Sequence, residues 1–162
     1  MKSDETPKFI ADINVGKLAR WLRIMGYDTL IFKGQDDADM LTAALAEDRV
    51  LLTRDSGIMK RKSVARGQIK VILIKSDNVQ EQTGQVLDAL IPLSPPRPFT
   101  LCVECNEPLV EKREEEVREY VPPYVYETQN EYTQCPACGR IYWKGTHWQA
   151  MTERINELKK NN

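Results

Sequence analysis

The chain has a single histidine, His147, among 162 residues. Metal-free RNA cleavage by paired imidazoles is therefore closed to it. A Ser-His-Asp triad would need that one histidine to reach across from the far end of the chain, which makes it a poor reading. Neither GxxxxGK[ST] nor GxGxxG is present, so phosphate-loop and dinucleotide-binding readings fail. No apolar run approaches the roughly 20 residues that cross a bilayer. The opening MKSDETPK is polar and lacks the apolar core of a signal peptide, so a cytoplasmic location away from membranes is the default expectation. Charge imbalance is also lacking. The net charge is −1, which by itself argues neither for nor against a polyanionic partner.

Its distribution says more. From Met59 to Lys75 there are six basic residues (Lys60, Arg61, Lys62, Arg66, Lys70 and Lys75) and no acid. Glu104 to Glu119, by contrast, is dominated by glutamate. A basic run is most often a solvated surface, but this one directly follows the Arg54–Asp55 step. At 41% hydrophobic and 29% charged, the composition is globular, and the length allows one real core plus a smaller attachment.

The pattern of elements predicts an α/β fold. Lys8 to Ile13 reads as a short buried strand that delivers Asp12 at its end. Val15, Leu18, Leu22 and Met25 then recur at helical spacing, and Gly26 stands where that helix would stop. DTLIF is a second strand, and Asp37 to Glu47 a helix with acids at its positive end. Val50 to Thr53 is a third strand and Ile69 to Ile74 a fourth. Lys70 aside, each is an apolar run, as expected for strands covered on both faces. Asn78, with Glu81 three residues on, opens the next helix through Val79, Val86, Leu87 and Leu90. Strands alternating with helices imply a parallel sheet. In PLSPPRPF four prolines cluster between Pro92 and Pro98, which reads as a linker between two cores.

All four cysteines form two pairs, Cys102–Cys105 in CVEC and Cys135–Cys138 in CPAC. In a cytosolic chain such spacing favours a metal over disulfides, and four thiolates suit tetrahedral zinc. Disulfides and an iron–sulfur cluster are the competing readings. Gly139 permits the tight turn after the second pair. The intervening EYVPPYVYETQNEYT, rich in β-formers and tyrosine, suggests the hairpins of a zinc ribbon. His147 and Trp148 are expected to pack beside the ribbon, and Met151, Ile155 and Leu158 give the final helix a face for docking.

In a parallel α/β sheet, ligands bind at the carboxyl ends of the strands. Asp12 ends the first strand, Asp55 follows the third and Asp77 follows the fourth, while Asp36, Asp37 and Asp39 precede or open the second helix. Any one of these reads equally as a cap or a turn residue. Asp12 and Asp55 together, both at strand ends, point instead to a site for Mg²⁺ or Mn²⁺, the cations selected by hard oxygen ligands. Such ions suit in-line attack on a phosphodiester, and the neighbouring basic residues would track its backbone.

DINVGKLARWLRIMGYDT, DDADMLTAALAEDRVLLTRD, CVEC, CPACG and YWKGTHW resemble the Mut-seven C-terminal ribonuclease family from about Lys8 to Ile155. The resemblance implies a PIN-like nuclease domain followed by a zinc ribbon, and a metal-dependent ribonuclease activity. It places the first acid on Asp12, the middle position on Asp37 with Asp39 beside it, the strand-end acid on Asp55, and a fourth candidate on Asp77. On this frame residues 1–92 are the nuclease domain, 93–98 the linker and 99–162 the ribbon with its helix. Asp12, Asp37 and Asp55 would hold Mg²⁺ or Mn²⁺, and Cys102, Cys105, Cys135 and Cys138 a structural Zn²⁺. Lys17, Arg20, Arg54, Lys60, Arg61, Lys62 and Arg66 would contact RNA. Lys17 and Arg20 read equally well as a solvated helix face, and Arg54 as an ion-pair partner for an acid. The competing function is a non-catalytic RNA- or protein-binding module on a degenerate PIN-like fold. A weaker third possibility is DNA processing, since two-metal chemistry does not itself read the 2′-hydroxyl.

Overall fold

A computed structural model describes residues 6–90 and 95–160. Four parallel strands, β1 (Phe9–Asp12), β2 (Thr29–Phe32), β3 (Val50–Thr53) and β4 (Val71–Leu73), form a sheet in the order β2-β1-β3-β4. Helices α1 (Gly16–Ile24), α2 (Asp37–Ala46), α3 (Lys62–Ala65) and α4 (Val79–Leu90) fill the connections. The fourth strand is shorter than its apolar run, because Ile69 and Ile74 are buried in the core just outside the ladder.

Strand alternation decides which helix covers which face. Phe9, Ala11, Val50, Leu52 and Ile72 join Leu18, Leu22 and Val86 of α1 and α4 in one core. Ile10 and Leu51 point the other way, into a second core with Met40, Leu41 and Ala44 of α2 and Val64 of α3. All four residues of β3 are buried, as a strand covered on both faces requires. Packing on this scale, at roughly 1.5–3 kcal/mol per large apolar side chain buried, is what holds the sheet layer together.

A second, antiparallel sheet, ordered β5-β6-β7, consists of β5 (Val110–Lys112), β6 (Tyr132–Gln134) and β7 (Ile141–Trp143). Between β5 and β6 the chain makes two short helices, α5 (Glu114–Val117) and α6 (Pro123–Thr128). Part of the tyrosine-rich segment expected as hairpin is therefore helical. Pro123 at the first helical position is preorganised for a helix start, and this local signal wins over the β-propensity of the tyrosines and valines. Val117, Val121, Val125 and Tyr132 make the small core of this part.

Residues 93 and 94 of the expected linker lie outside the described residues. The rest of that segment packs tightly against α1. Phe99 N–H donates to the Ile24 carbonyl at 2.8 Å, and a Cβ on Gly26 would sit 2.2 Å from the Arg97 carbonyl oxygen. Gly26, at φ +97°, is needed there for both space and backbone conformation. The final helix α7 (Thr146–Lys160) returns to the parallel sheet, placing Ile155 in the same core as Phe9 and Leu18. Trp148 of α7 packs against Phe99 in a tilted arrangement, with ring centroids 5.2 Å apart.

Candidate active site and metal centre

Because the four strands are parallel, the ends that follow Asp12, Phe32, Thr53 and Leu73 share one edge. Ala11 pairs with Leu52, so Asp12 and Thr53 are neighbours one step further along, on the face covered by α2 and α3. Fully buried Thr53 links the Asp12 carboxylate to the backbone of Asp55 at this edge. Its hydroxyl donates to Asp12 Oδ2 at 3.3 Å and accepts from the Asp55 N–H at 3.1 Å. Each aspartate also closes a turn: Asp12 Oδ1 accepts from Asn14 N–H at 3.4 Å, and Asp55 Oδ1 from Gly57 N–H at 2.9 Å.

Asp12 and Asp55 therefore each close a turn and share Thr53 as a neighbour. Asp36 caps α2 through Ala38 N–H at 2.9 Å, and Asp37 and Asp39 follow in the first turn. The Asp37 carboxylate faces the Arg61 guanidinium at 3.8 Å. Among the described residues no three of these carboxylates converge closely enough to enclose an ion; only the cysteines do.

Arg54, one residue past Thr53, takes the opposite side of the sheet and forms an ion pair with Asp77. Both line a cleft of about 400 Å³ together with Lys17 and Arg20 from α1. Lys60, Lys62 and Arg66 are exposed beside Arg61 on the turn and helix that follow Asp55.

In the later part of the chain the Sγ atoms of Cys102, Cys105, Cys135 and Cys138 all lie within 4.8 Å of one another. Tetrahedral zinc with Zn–S near 2.3 Å requires S···S separations of about 3.8 Å. The separation between Cys102 and Cys138 is 3.8 Å, so the donor set fits zinc. The two knuckles are built alike. In each, the first cysteine's N–H bonds a carbonyl five residues on (Cys102 to Glu107, Cys135 to Arg140), and its own carbonyl accepts from the residue after the second cysteine. That residue is left-handed in both cases, Asn106 at φ +64° and Gly139 at φ +79°.

Tyr142 on β7 supports the first knuckle: its hydroxyl lies 3.2 Å from Cys102 Sγ and accepts from Val103 N–H, also at 3.2 Å. Burial pushes the Cys102 thiol up, but the Tyr142 hydroxyl, the Cys105 and Glu104 amides and Cys135 outweigh it, leaving the thiol at about 7. The Cys105 thiol, bonded to Cys138 and surrounded by the other thiols, is pushed up to about 12. In the metal-free chain one thiolate is thus favoured at neutral pH, and its charge opposes ionisation of the next.

The knuckle is also bolted to the parallel sheet. Buried Arg23 donates from Nε to the Thr29 carbonyl at 2.8 Å and from NH1 to the Val103 and Glu104 carbonyls at 2.7 and 3.2 Å. Thr53, Arg23, Asn106 and Tyr142 were not singled out from the sequence. The one legible signal was the polar threonine closing an otherwise apolar VLLT.

The family model described as Mut7-C RNAse domain matches residues 7–155. No match was found among curated proteins or among solved structures.

Proposed function

Because the chain belongs to the Mut7-C RNAse domain family, which indicates a ribonuclease-type function, we propose that it is a divalent-metal-dependent ribonuclease, cutting RNA internally, with a structural zinc ribbon. The single observation that carries this reading is the Asp12–Thr53–Asp55 link across adjacent strand ends. Mg²⁺ is commonly held by one or two carboxylates, with waters and substrate phosphates completing its shell. Two carboxylates at adjacent strand ends, with Asp12 fixed by the Thr53 hydroxyl, would suit such a hydrated ion without forming a closed protein cage. A bound ion would supply a water of lowered pKa and neutralise charge on the scissile phosphate.

Asp12 and Asp55 would be the holding carboxylates. Asp37 and Asp39 would approach from the first turn of α2, and Thr53 would fix the carboxylate plane of Asp12. Lys60, Arg61, Lys62 and Arg66 would neutralise the RNA backbone beside the acids. Cys102, Cys105, Cys135 and Cys138 would hold one Zn²⁺ and leave no coordination position open, so its contribution would be to folding. Residues 1–92 then act as the nuclease part and 99–162 as the ribbon, in the reducing cytoplasm that suits unpaired thiols. No helix among the described residues is long and apolar enough to cross a membrane.

Among the described residues no three carboxylates converge, which favours one other reading, an RNA-binding module that does not cut. Incubating pure protein with mixed RNAs in Mn²⁺, Mg²⁺ or EDTA separates the two. Internal cleavage that needs Mn²⁺ or Mg²⁺ and stops in EDTA is expected. Binding without cleavage in any metal would leave the module. Elemental analysis should find one zinc per chain; iron with a visible chromophore would refute the zinc assignment.

A further inference from the structure

The cleft beside the acids is separate from them. Arg54 and Asp77 stand on its rim, Lys17 and Arg20 rise from α1, and Ile13 and Val79 give it apolar patches. Both arginines are held by carboxylates from opposite directions. Arg54 pairs with Asp77, and Arg20 lies 4.0 Å from Glu104. The Asp77 side chain is 87% exposed and that of Arg54 41%. Strand alternation sends Arg54 to the side of α1 and α4, away from Asp12 and Thr53, so Asp77 stands among cations on the face opposite Asp12.

We propose that this cleft seats a backbone phosphate of single-stranded RNA, and that Asp77 is an internal stand-in for that phosphate rather than a fourth metal-holding acid. The inference rests on the RNA reading above and assigns Asp77 a different task within it. An exposed pair such as Arg54–Asp77 is worth about 0–1 kcal/mol, so it is readily broken. A phosphate can take two guanidinium N–H bonds from Arg54 and also gains Lys17 and Arg20, which Asp77 does not reach. Displacement of Asp77 is then favoured only by a ligand that engages several of these cations at once. A cleft of about 400 Å³ suits one nucleotide at a time, which favours a threaded single strand. Asp77 would thereby raise the threshold for weak anions and sharpen selection for a polymer.

The test is anisotropy of a fluorescein-labelled single-stranded RNA, about ten nucleotides long, measured in EDTA at low salt. Asp77→Asn should bind about two- to fivefold more tightly than wild type, and Arg54→Ala more weakly. In the Arg54→Ala background, Asp77→Asn should tighten binding clearly less, because only the loss of simple charge repulsion remains once Arg54 is gone. With Mn²⁺, Asp77→Asn should still cleave, at least as fast as wild type at subsaturating RNA. Unchanged affinity in Asp77→Asn, equal tightening with and without Arg54, or no RNA binding by any protein overturns the proposal. So does loss of cleavage in Asp77→Asn, which would restore it as an acid of the metal site. Inorganic phosphate should compete poorly; competition as strong as that of equimolar unlabelled RNA would mean a site for free anions. The EDTA arms do not depend on catalysis, so a wild-type protein that cuts no RNA would refute the ribonuclease reading and leave these binding results to stand.

Discussion

Asn106 donates from Nδ2 to Asp28 Oδ1 at 2.6 Å, while its Oδ1 accepts the Thr29 N–H at 2.9 Å. One side chain thus ties the first cysteine knuckle to the start of β2. Arg49 braces the same carboxylate from the other side at 2.8 Å. Left-handed backbone suits glycine best and asparagine next, so the choice of Asn over Gly at this knuckle supplies a fastener that the Cys135 knuckle lacks. Asn106→Gly should preserve the knuckle turn and its metal while stripping the Thr29 N–H of its partner. A loss of about 1–3 kcal/mol is expected in denaturant melts. Metal content should stay at the wild-type level. Unchanged stability would mean that the bond contributes nothing to docking.

Metal removal should reach the parallel sheet. The Val103 and Glu104 carbonyls bonded by Arg23 belong to the knuckle itself, and Ile155 of the last helix lies in the sheet core. Chelation, or Cys138→Ser, should therefore speed hydrogen exchange at Thr29–Phe32 as well as in β6 and β7. Exchange at β2 that is indifferent to metal would indicate two independently stable parts.

The docking contact also has a pH limit. Burial raises the Asp28 pKa, but hydrogen bonds from Arg49 and Asn106 outweigh it and hold the folded-state value below the ordinary 3.8. The stabilisation is then fully present above 3.8 and is lost as pH falls through that lowered value. Asp28→Asn should flatten the acid limb of stability below about pH 4. An identical acid limb in Asp28→Asn would place the acid sensitivity elsewhere.

How much of this was legible in the sequence depends on range. β1 to β4 and α1, α2 and α4 were readable because apolar period and caps are local signals, and the cysteine knuckles because a metal demands short spacing. The helix Pro123–Thr128 was obscured by tyrosines and valines that favour strands. Arg23 and Asn106 could not be read, and Thr53 only as a polar residue closing an apolar run, because each acts through a partner 41 to 80 residues away: Thr53 reaches Asp12 across 41 positions, Arg23 reaches Val103 across 80, and Asn106 reaches Thr29 across 77. Asp12, Asp55 and Asp77 were placed on the correct edge by topology, yet the side of the sheet they face depends on the register of β1 against β3.

Around Asp12 and Asp55, asparagine and alanine separate capping from metal holding. Asn caps as well as Asp, so Asp12→Asn and Asp55→Asn should retain stability to within about 0.5 kcal/mol, whereas alanine costs about 1 kcal/mol. Both asparagine variants should nevertheless lose at least about a hundredfold in Mn²⁺-dependent cleavage, since an amide holds a hard cation poorly. Metal-free RNA binding should survive. Full cleavage by a stable Asp55→Asn protein would remove Asp55 from the site.

Thr53 offers the sharpest check on the geometry because its hydroxyl bonds the Asp12 carboxylate and the Asp55 backbone N–H at once. Thr53→Val keeps the buried shape but strands the Asp55 N–H and frees the Asp12 carboxylate, at a cost of about 1–3 kcal/mol. Thr53→Ser keeps the hydroxyl and gives up one methyl, at about 1 kcal/mol. If Thr53 only fills the core, valine should be the milder change and serine the worse. If it orients Asp12, the order reverses in activity: serine should keep most Mn²⁺-dependent cleavage, and valine should lose about tenfold or more even where the protein is folded. The apparent Mn²⁺ affinity should weaken in valine alone, because the carboxylate it frees must be fixed again on binding. Equal cleavage and equal Mn²⁺ dependence in the two variants would show that Thr53 packs the strand end without positioning the acid beside it.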